Sequence, residues 1–345
     1  MRILIIADPL LPVPPNGYGG TERIVAMQAK VLSQAGYKVR LLAGSGSKDF
    51  GDGVFTHVRP SNAYSSRLRR KLQFQAQALW ASRNIDVVIN HGRVDYLHSL
   101  MAGRLPLVTW FHNPVAQAEI DFLNRYRTRR RCLVFVSRNQ CSTLERLKEH
   151  RVVPNSVDTD FFRPAEGRSD SRYLLFLGRL TANKGVHIAI AAARKAGLHL
   201  KIAGNVSDEP RAREYFASQV RPELGRGCEW VGEVNDEQKR GLLQGAAALL
   251  FPIQWPEPFG LVQAESLACG TPVVALRAGA SPEVVRTGTN GFLCESEDEM
   301  VGGIRRIGEI DRLTCRRDAE KRFSPANLLA GTLDAIECAR LSRSP

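Results

Sequence analysis

Nothing in this 345-residue chain is long and apolar enough to cross a bilayer, which takes about 20 consecutive apolar residues. The apolar opening, residues 1–7, is cut off by Asp8 and Pro9 and is too short for the core of a secretory signal. Cysteine pairing is missing as well. The seven cysteines (132, 141, 228, 269, 294, 315, 338) are scattered, odd in number and never spaced C-x-x-C. That argues against a disulfide framework or a zinc site, and for a reducing, cytoplasmic compartment. The dinucleotide fingerprint G-x-G-x-x-G fails, because Gly17 and Gly19 are followed by Glu22 where a third glycine would stand. No nucleic-acid module accompanies the net charge of +13, so nucleic acid is not an expected partner. Asp158 and Asp160 form a D-x-D pair, but they lie in a proline-bounded linker, residues 153–164, where no metal is expected.

What is present is alternation. Apolar runs of strand length are expected at 3–7, 37–43, 54–58, 86–89, 107–110, 132–136 and 152–153, with helices at 22–35 (capped by Thr21), 64–83 and 137–148. A second series opens at 173–178 and continues through strands at 198–203, 248–252 and 273–276, with helices at 186–196, 236–245 and 261–268. Residues 295–322 read as helical, and Pro325 restarts a last helix to 341. Such βαβ alternation predicts an α/β fold of doubly wound parallel sheets, and the length predicts two domains, 1–160 and 161–324.

The chain is organised around residues 247–285. Glu257 and Glu265 stand eight apart in the frame E-P-F-G-L-V-Q-A-E. Pro256 and Pro258 put Glu257 in a loop at the carboxyl end of a strand, whereas Glu265 falls inside the helix that follows Gly260. Ligands of open parallel sheets bind at strand carboxyl ends, and carboxylates there can grip vicinal hydroxyls as acceptors. A solvated helix with two surface glutamates is the plainer account, but flanking prolines before F-G-L are poor surface design. Earlier, Gly178-Arg179-Leu-Thr-Ala-Asn183-Lys184-Gly185 places two cations at a turn before a helix, an anion site suited to a diphosphate. The loop 8–20 ends Gly17-Tyr18-Gly19-Gly20 at another helix start, where backbone N–H groups also favour phosphate. His91 and His112 each follow a strand. Base rates make such a histidine more often structural.

Charge is uneven. Residues 1–160 hold 23 Lys and Arg against 12 Asp and Glu, and residues 161–345 hold 25 against 23. Arg67, Arg69, Arg70 and Lys71 open the 64–83 helix, whose Leu68, Leu72, Ala76 and Leu79 form one stripe expected to face the core. A second basic cluster spans Arg125, Arg127 and residues 129–131. An anionic membrane surface or an anionic acceptor is the expected partner of this half.

These motifs resemble those of the retaining glycosyltransferases of family 4, with the GT-B fold. The resemblance covers most of the chain and is tightest over residues 173–294, which include the E-x7-E frame, the G-R-x-x-x-x-K-G turn and Gly288-Thr-Asn-Gly-Phe-Leu-Cys294. It departs at Val206 and Ala280, where the family often has glycine. It implies two Rossmann-like domains facing across a cleft, an acceptor domain first and a nucleotide-sugar domain second, with the helix in 325–345 returning to the first. It implies that Arg179 and Lys184 hold the donor diphosphate with help from the Gly19 and Gly20 amides. Glu265 would take the ribose hydroxyls. Glu257 and the N–H groups of Phe259, Gly260 and Leu261 would hold the sugar. His112 would face that sugar, and Val234 would lie beside the base. The implied co-substrate is a nucleotide-diphosphate sugar, most often UDP-linked, with no other cofactor and a hydroxyl acceptor. The segment P-P-x-G-Y-G-G-T-E is most similar to a subgroup with small acceptors. A sugar-nucleotide epimerase, a phosphorylase and a non-catalytic binder remain alternatives. The first would need no acceptor. The second would need a longer chain with a pyridoxal lysine, and the third would lack one of Arg179, Lys184, Glu257 or Glu265.

Overall fold

A strand buried on both faces belongs in a parallel sheet covered by helices on either side. The computed structural model describes residues 1–17, 19–57, 67–126, 130–166 and 173–342, and it has two such sheets. The first is built from β1 (Arg2–Ile6), β2 (Lys38–Gly44), β3 (Val54–His57), β4 (Val87–Asn90), β5 (Leu107–Phe111), β6 (Arg131–Phe135) and β7 (His150–Val152). Their spatial order is β3-β2-β1-β4-β5-β6-β7, with every pairing parallel. The second has β8 (Tyr173–Leu177), β9 (His199–Ala203), β10 (Cys228–Gly232), β11 (Ala246–Phe251), β12 (Val273–Leu276) and β13 (Gly291–Cys294). They lie in the order β10-β9-β8-β11-β12-β13, again all parallel. Counted from its own first strand, each sheet runs 3-2-1-4-5-6, and the first adds a seventh strand at the far edge. Each therefore has a switch point, between β1 and β4 or between β8 and β11, where loops diverge and leave room for a ligand.

The chain forms two units, residues 1–155 with 325–345 and residues 156–324. The change of unit falls at Asn155–Ser156, inside the 153–164 linker and a few residues before the boundary expected at 160. The last helix, Pro325–Leu341, packs within the first unit against the Gly20–Gln34 helix and β6. Arg151 Nε donates to Asp334 at 2.7 Å, and Gln28 Nε2 donates to Thr332 at 2.9 Å. With these bounds the first unit carries 25 Lys and Arg against 12 Asp and Glu, and the second 23 against 23, so the whole +13 resides in the first.

Four local expectations need correction. The Arg67–Ala81 helix lies with the opposite face inward: Phe74 (3% exposed), Ala78 and Ala81 enter the core beside Leu97, Leu100 and Met101, while Leu72 (57%), Leu79 (47%) and Trp80 (53%) are exposed. Both faces of this helix carry apolar side chains, Phe74 on the buried one and Leu72, Leu79 and Trp80 on the exposed one, so its own pattern does not choose between them. Lys71 turns to Asp95 at 2.5 Å, and Arg69 is exposed. The side chains of Arg67, Leu68 and Arg70, and residues 127–129, lie outside the described parts. The 137–148 helix shrinks to Arg138–Cys141, capped by Ser137. After it, Arg146 adopts a left-handed φ of 54°, and Gln117 and Asn124 bond the backbone of Glu145 and Arg146 in place of helix partners. The 295–322 segment splits into Glu297–Arg305 and Arg312–Phe323, because Asp311 caps the second helix by accepting from the N–H groups of Leu313 and Thr314. Thr21 is not the cap of the first helix, which begins at Gly20 after Gly19. Asp158 uses its carboxylate to accept from the N–H groups of Asp160 and Phe161, closing a turn.

Candidate active site

In the second unit the switch point is assembled from backbone first. The loop after β8 carries Arg179, then turns through Ala182–Lys184 into Gly185 at φ 74°. A Cβ on Gly185 would stand 2.0 Å from the Pro252 carbonyl oxygen, so only glycine lets the loops after β8 and β11 meet. Gln254 N–H donates to the Asn183 carbonyl at 2.9 Å and joins the same two loops. Across this seam Lys184 Nζ reaches Glu257 Oε2 at 2.5 Å, with the two side chains only 14% and 17% exposed. The ammonium also lies 5.2 Å from the centre of the Trp255 ring.

Glu257 is held from its other side by the loop after β12. The Ala280 N–H donates to the Glu257 carbonyl at 2.9 Å, and a Cβ on Gly279 would sit 2.4 Å from the Glu257 backbone N and O. The Leu261–Ala268 helix then starts from Gly260, which has no side chain to cap its first N–H groups. Phe259 is core, packed edge-on against Phe323 at 5.5 Å, which leaves its backbone as the part able to serve a ligand.

Glu265 sits in that helix, 6% exposed. Its partner is Lys239 at 2.7 Å, a residue the sequence reading did not single out. Lys239 comes from the first turn of the Asp236–Gly245 helix, is 3.3 Å from Asp236 and lies over the Phe162 ring at 4.8 Å. The local i,i+3 pair with Asp236 was visible in sequence, but the reach to Glu265 depends on how two helices pack. Burial, with Glu265 adding its charge, pushes the nearby Cys269 thiol up to about 12. Val234 is half-buried just after β10, before the Asn235 capping box. The structure thus brings Lys184 and Glu257 together, and gives Glu265 a different cation.

In the first unit, Gly19 and Gly20 head the Gly20–Gln34 helix. Glu22 in its first turn is buried, which raises its carboxyl pKa. At the β1/β4 switch point, His91 follows β4 and His112 follows β5. Their rings stack at 5.1 Å, and His91 Nδ1 lies 2.8 Å from His112 Nε2. His91 Nε2 continues to Gln28 Oε1 at 2.7 Å. Burial drives the His112 pKa down to about 3, and burial plus the neighbouring ring drives His91 well below its usual range.

An acid-stability signature follows. Both histidines stay neutral in the fold, whereas the unfolded chain protonates them below about pH 6.5. Their contribution is therefore complete above that pH and is lost as pH falls toward the folded values. Each histidine is expected to remove about 1.4 kcal/mol per pH unit in that window. Urea unfolding at pH 6.5 and 5 measures it. A slope equal to that of a double variant with both histidines replaced by phenylalanine would contradict it.

The fold is GT-B, and two family descriptions match the chain in tandem: Glycosyltransferase Family 4 over residues 18–161 and Glycosyl transferases group 1 over residues 158–322. The chain belongs to the family 4 glycosyltransferases. Alpha-maltose-1-phosphate synthase of Mycolicibacterium smegmatis is 34% identical over 194 residues, 51% of this chain and 50% of that one. The chain thus spans about half, or less, of the length of the curated relatives it matches. Among solved structures it resembles AviGT4, a glycosyltransferase involved in avilamycin A biosynthesis, with TM-score 0.73, 24% identity and coverage of 99% and 97% of the two chains. Alr3699/HepE of Anabaena, solved with UDP and glucose, gives TM-score 0.76 at 19% identity, covering 98% of this chain and 99% of that one.

Proposed function

We propose that the protein is a retaining glycosyltransferase that moves a hexose from a nucleotide-diphosphate sugar, a UDP-sugar foremost, to the hydroxyl of a lipid-linked or cell-envelope saccharide. The observation that carries this reading is the Lys184–Glu257 pair, held at a switch point beside a helix start with no side-chain cap. As the glycosidic bond breaks, negative charge grows on the β-phosphate and positive charge on the anomeric carbon. Arg179 and Lys184 are the cations that meet the departing diphosphate, as preorganised charges. Glu257, already fixed by its backbone, takes sugar hydroxyls, and Glu265 takes those of the ribose. The family resemblance assigns Gly19, Gly20 and His112 to the same donor. Transfer proceeds on one face, with the leaving phosphate accepting the proton of the incoming hydroxyl.

Calorimetry with UDP-, GDP- and ADP-sugars identifies the donor, and proton NMR of the product tests retention at the anomeric carbon. Tight binding of none of the three, or an inverted product, would refute the reading. Conversion of the donor with no acceptor present would favour an epimerase. Because the protein's cations neutralise the diphosphate, turnover is expected to survive a chelator. Complete inactivation reversed by added divalent metal would contradict that.

The second reading, docking on the anionic inner face of a cytoplasmic membrane, is favoured by the exposed Leu72, Leu79 and Trp80 beside Arg69, on the unit that carries the whole net charge. Lys71, occupied by Asp95, is a weaker contributor than its position in the basic run suggested. Basic residues near such a surface contribute about 1 kcal/mol each, and burying one Leu or Trp side chain roughly 1.5–3 kcal/mol. Co-sedimentation is expected with anionic vesicles and not neutral ones, fading with salt and with Leu72→Ala/Trp80→Ala. Equal binding to both vesicle types, or none, would favour a soluble enzyme with a small-molecule acceptor.

A further inference from the structure

The polar chain behind His112 has a direction. Gln28 Nε2 donates to Thr332 Oγ1 at 2.9 Å, so the amide oxygen is the end facing His91 Nε2, at 2.7 Å. An amide oxygen only accepts, which puts the His91 proton on Nε2 and leaves Nδ1 as a lone pair. The neighbour of that lone pair, His112 Nε2 at 2.8 Å, must then be the donor. His112 is left as the Nε2–H tautomer with a bare Nδ1. That atom is buried and has no hydrogen-bond partner among the described residues. The opposite direction would bury an N–H there with no acceptor, which proteins tolerate less readily than an unused lone pair.

The chain joins four elements of one unit. Thr332 is on the last helix, Gln28 on the Gly20–Gln34 helix, His91 after β4 and His112 after β5. Gln28 and Thr332 are fully buried, and His91 is 7% exposed with its ring stacked on Trp110 at 5.5 Å. A buried polar network costs stability unless its members are satisfied. Here His91, Gln28 and Thr332 are bonded in series, and the open atom falls at the His112 end.

We propose that His91 is a positioning residue: backed by Gln28 and Thr332, it holds His112 in one ring orientation and one tautomer, and so fixes the face of the ring that meets the bound substrate. The assignment rests on the reading of His112 as the residue facing the transferred sugar. It also makes the last helix part of the site's support, through Thr332.

The test uses the full chain labelled with 15N-histidine. Long-range proton–nitrogen spectra at pH 7, without substrate, are expected to show His91 and His112 neutral and protonated at Nε2. His91→Phe is expected to release His112 into mixed tautomers and to lower kcat roughly 10- to 100-fold, the scale of a misplaced reacting group, with little change in donor KM. His91→Gln, which keeps an acceptor and a donor, should recover part of that loss. Gln28→Leu provides the same test should His91→Phe not fold. A His112 protonated at Nδ1 in the wild type, or His91→Phe and Gln28→Leu with wild-type kcat, would overturn the proposal. Since the spectrum needs no substrate, a wrong tautomer condemns the relay itself. The right tautomer with no transfer from any nucleotide sugar condemns instead the glycosyltransferase reading beneath it.

Discussion

Lys184→Ala is expected to lose roughly 2–4 kcal/mol of transition-state stabilisation, about 30- to 1000-fold in kcat/KM, as does removal of a preorganised donor from a developing oxyanion. Arg179→Ala should fall in the same range. The structure adds a consequence that the loop position of Lys184 did not suggest. Lys184 is largely buried against Glu257 at 2.5 Å, so its deletion also leaves a partly buried carboxylate without its cation. The variant should therefore show a lower unfolding temperature as well as slow turnover, whereas Lys184→Ala/Glu257→Gln should regain stability without regaining activity. Steady-state kinetics with the identified donor, alongside thermal unfolding, separates the two effects. Turnover of Lys184→Ala or Arg179→Ala within a few-fold of wild type would remove these residues from the diphosphate site.

Glu265→Gln is expected to weaken the nucleoside diphosphate itself by roughly 1.5–3 kcal/mol, the value of a charged hydrogen bond. Glu257→Gln should leave that binding nearly unchanged and impair binding or transfer of the sugar. The Lys239 contact at 2.7 Å sharpens the first expectation. An amide at position 265 can still accept from Lys239, but it no longer neutralises it, and Asp236 at 3.3 Å takes over part of that role. Titration of UDP by calorimetry distinguishes the two glutamates. Equal losses for both variants would mean that the division between ribose and sugar is wrong.

How much of this was legible beforehand depends on where each decision is made along the chain. The Val186–Ala196, Asp236–Gly245 and Leu261–Ala268 helices lie where periodicity and punctuation by glycine and proline put them. There the deciding interactions are local: a left-handed Gly185 and Gly260 at two starts, and a reciprocal Asn235–Gln238 cap at the third. The 137–148 segment went the other way because its backbone partners, Gln117 and Asn124, are distant in sequence.

The same distinction holds for the site. Residue types and spacing by themselves determined the α/β alternation, the GT-B resemblance and the pairing of a cationic turn with an E-x7-E frame, because those depend on short-range geometry and on chemistry that each side chain carries wherever it is placed. Tertiary structure alone decided which face of the Arg67–Ala81 helix is buried, since both faces are apolar and only the surface opposite could choose between them. It alone joined His91 to His112, and Lys239 to Glu265. Each of those bonds spans elements whose separation is set by sheet order and helix packing, and a hydrogen bond worth having exists only within a few tenths of an ångström of its proper length.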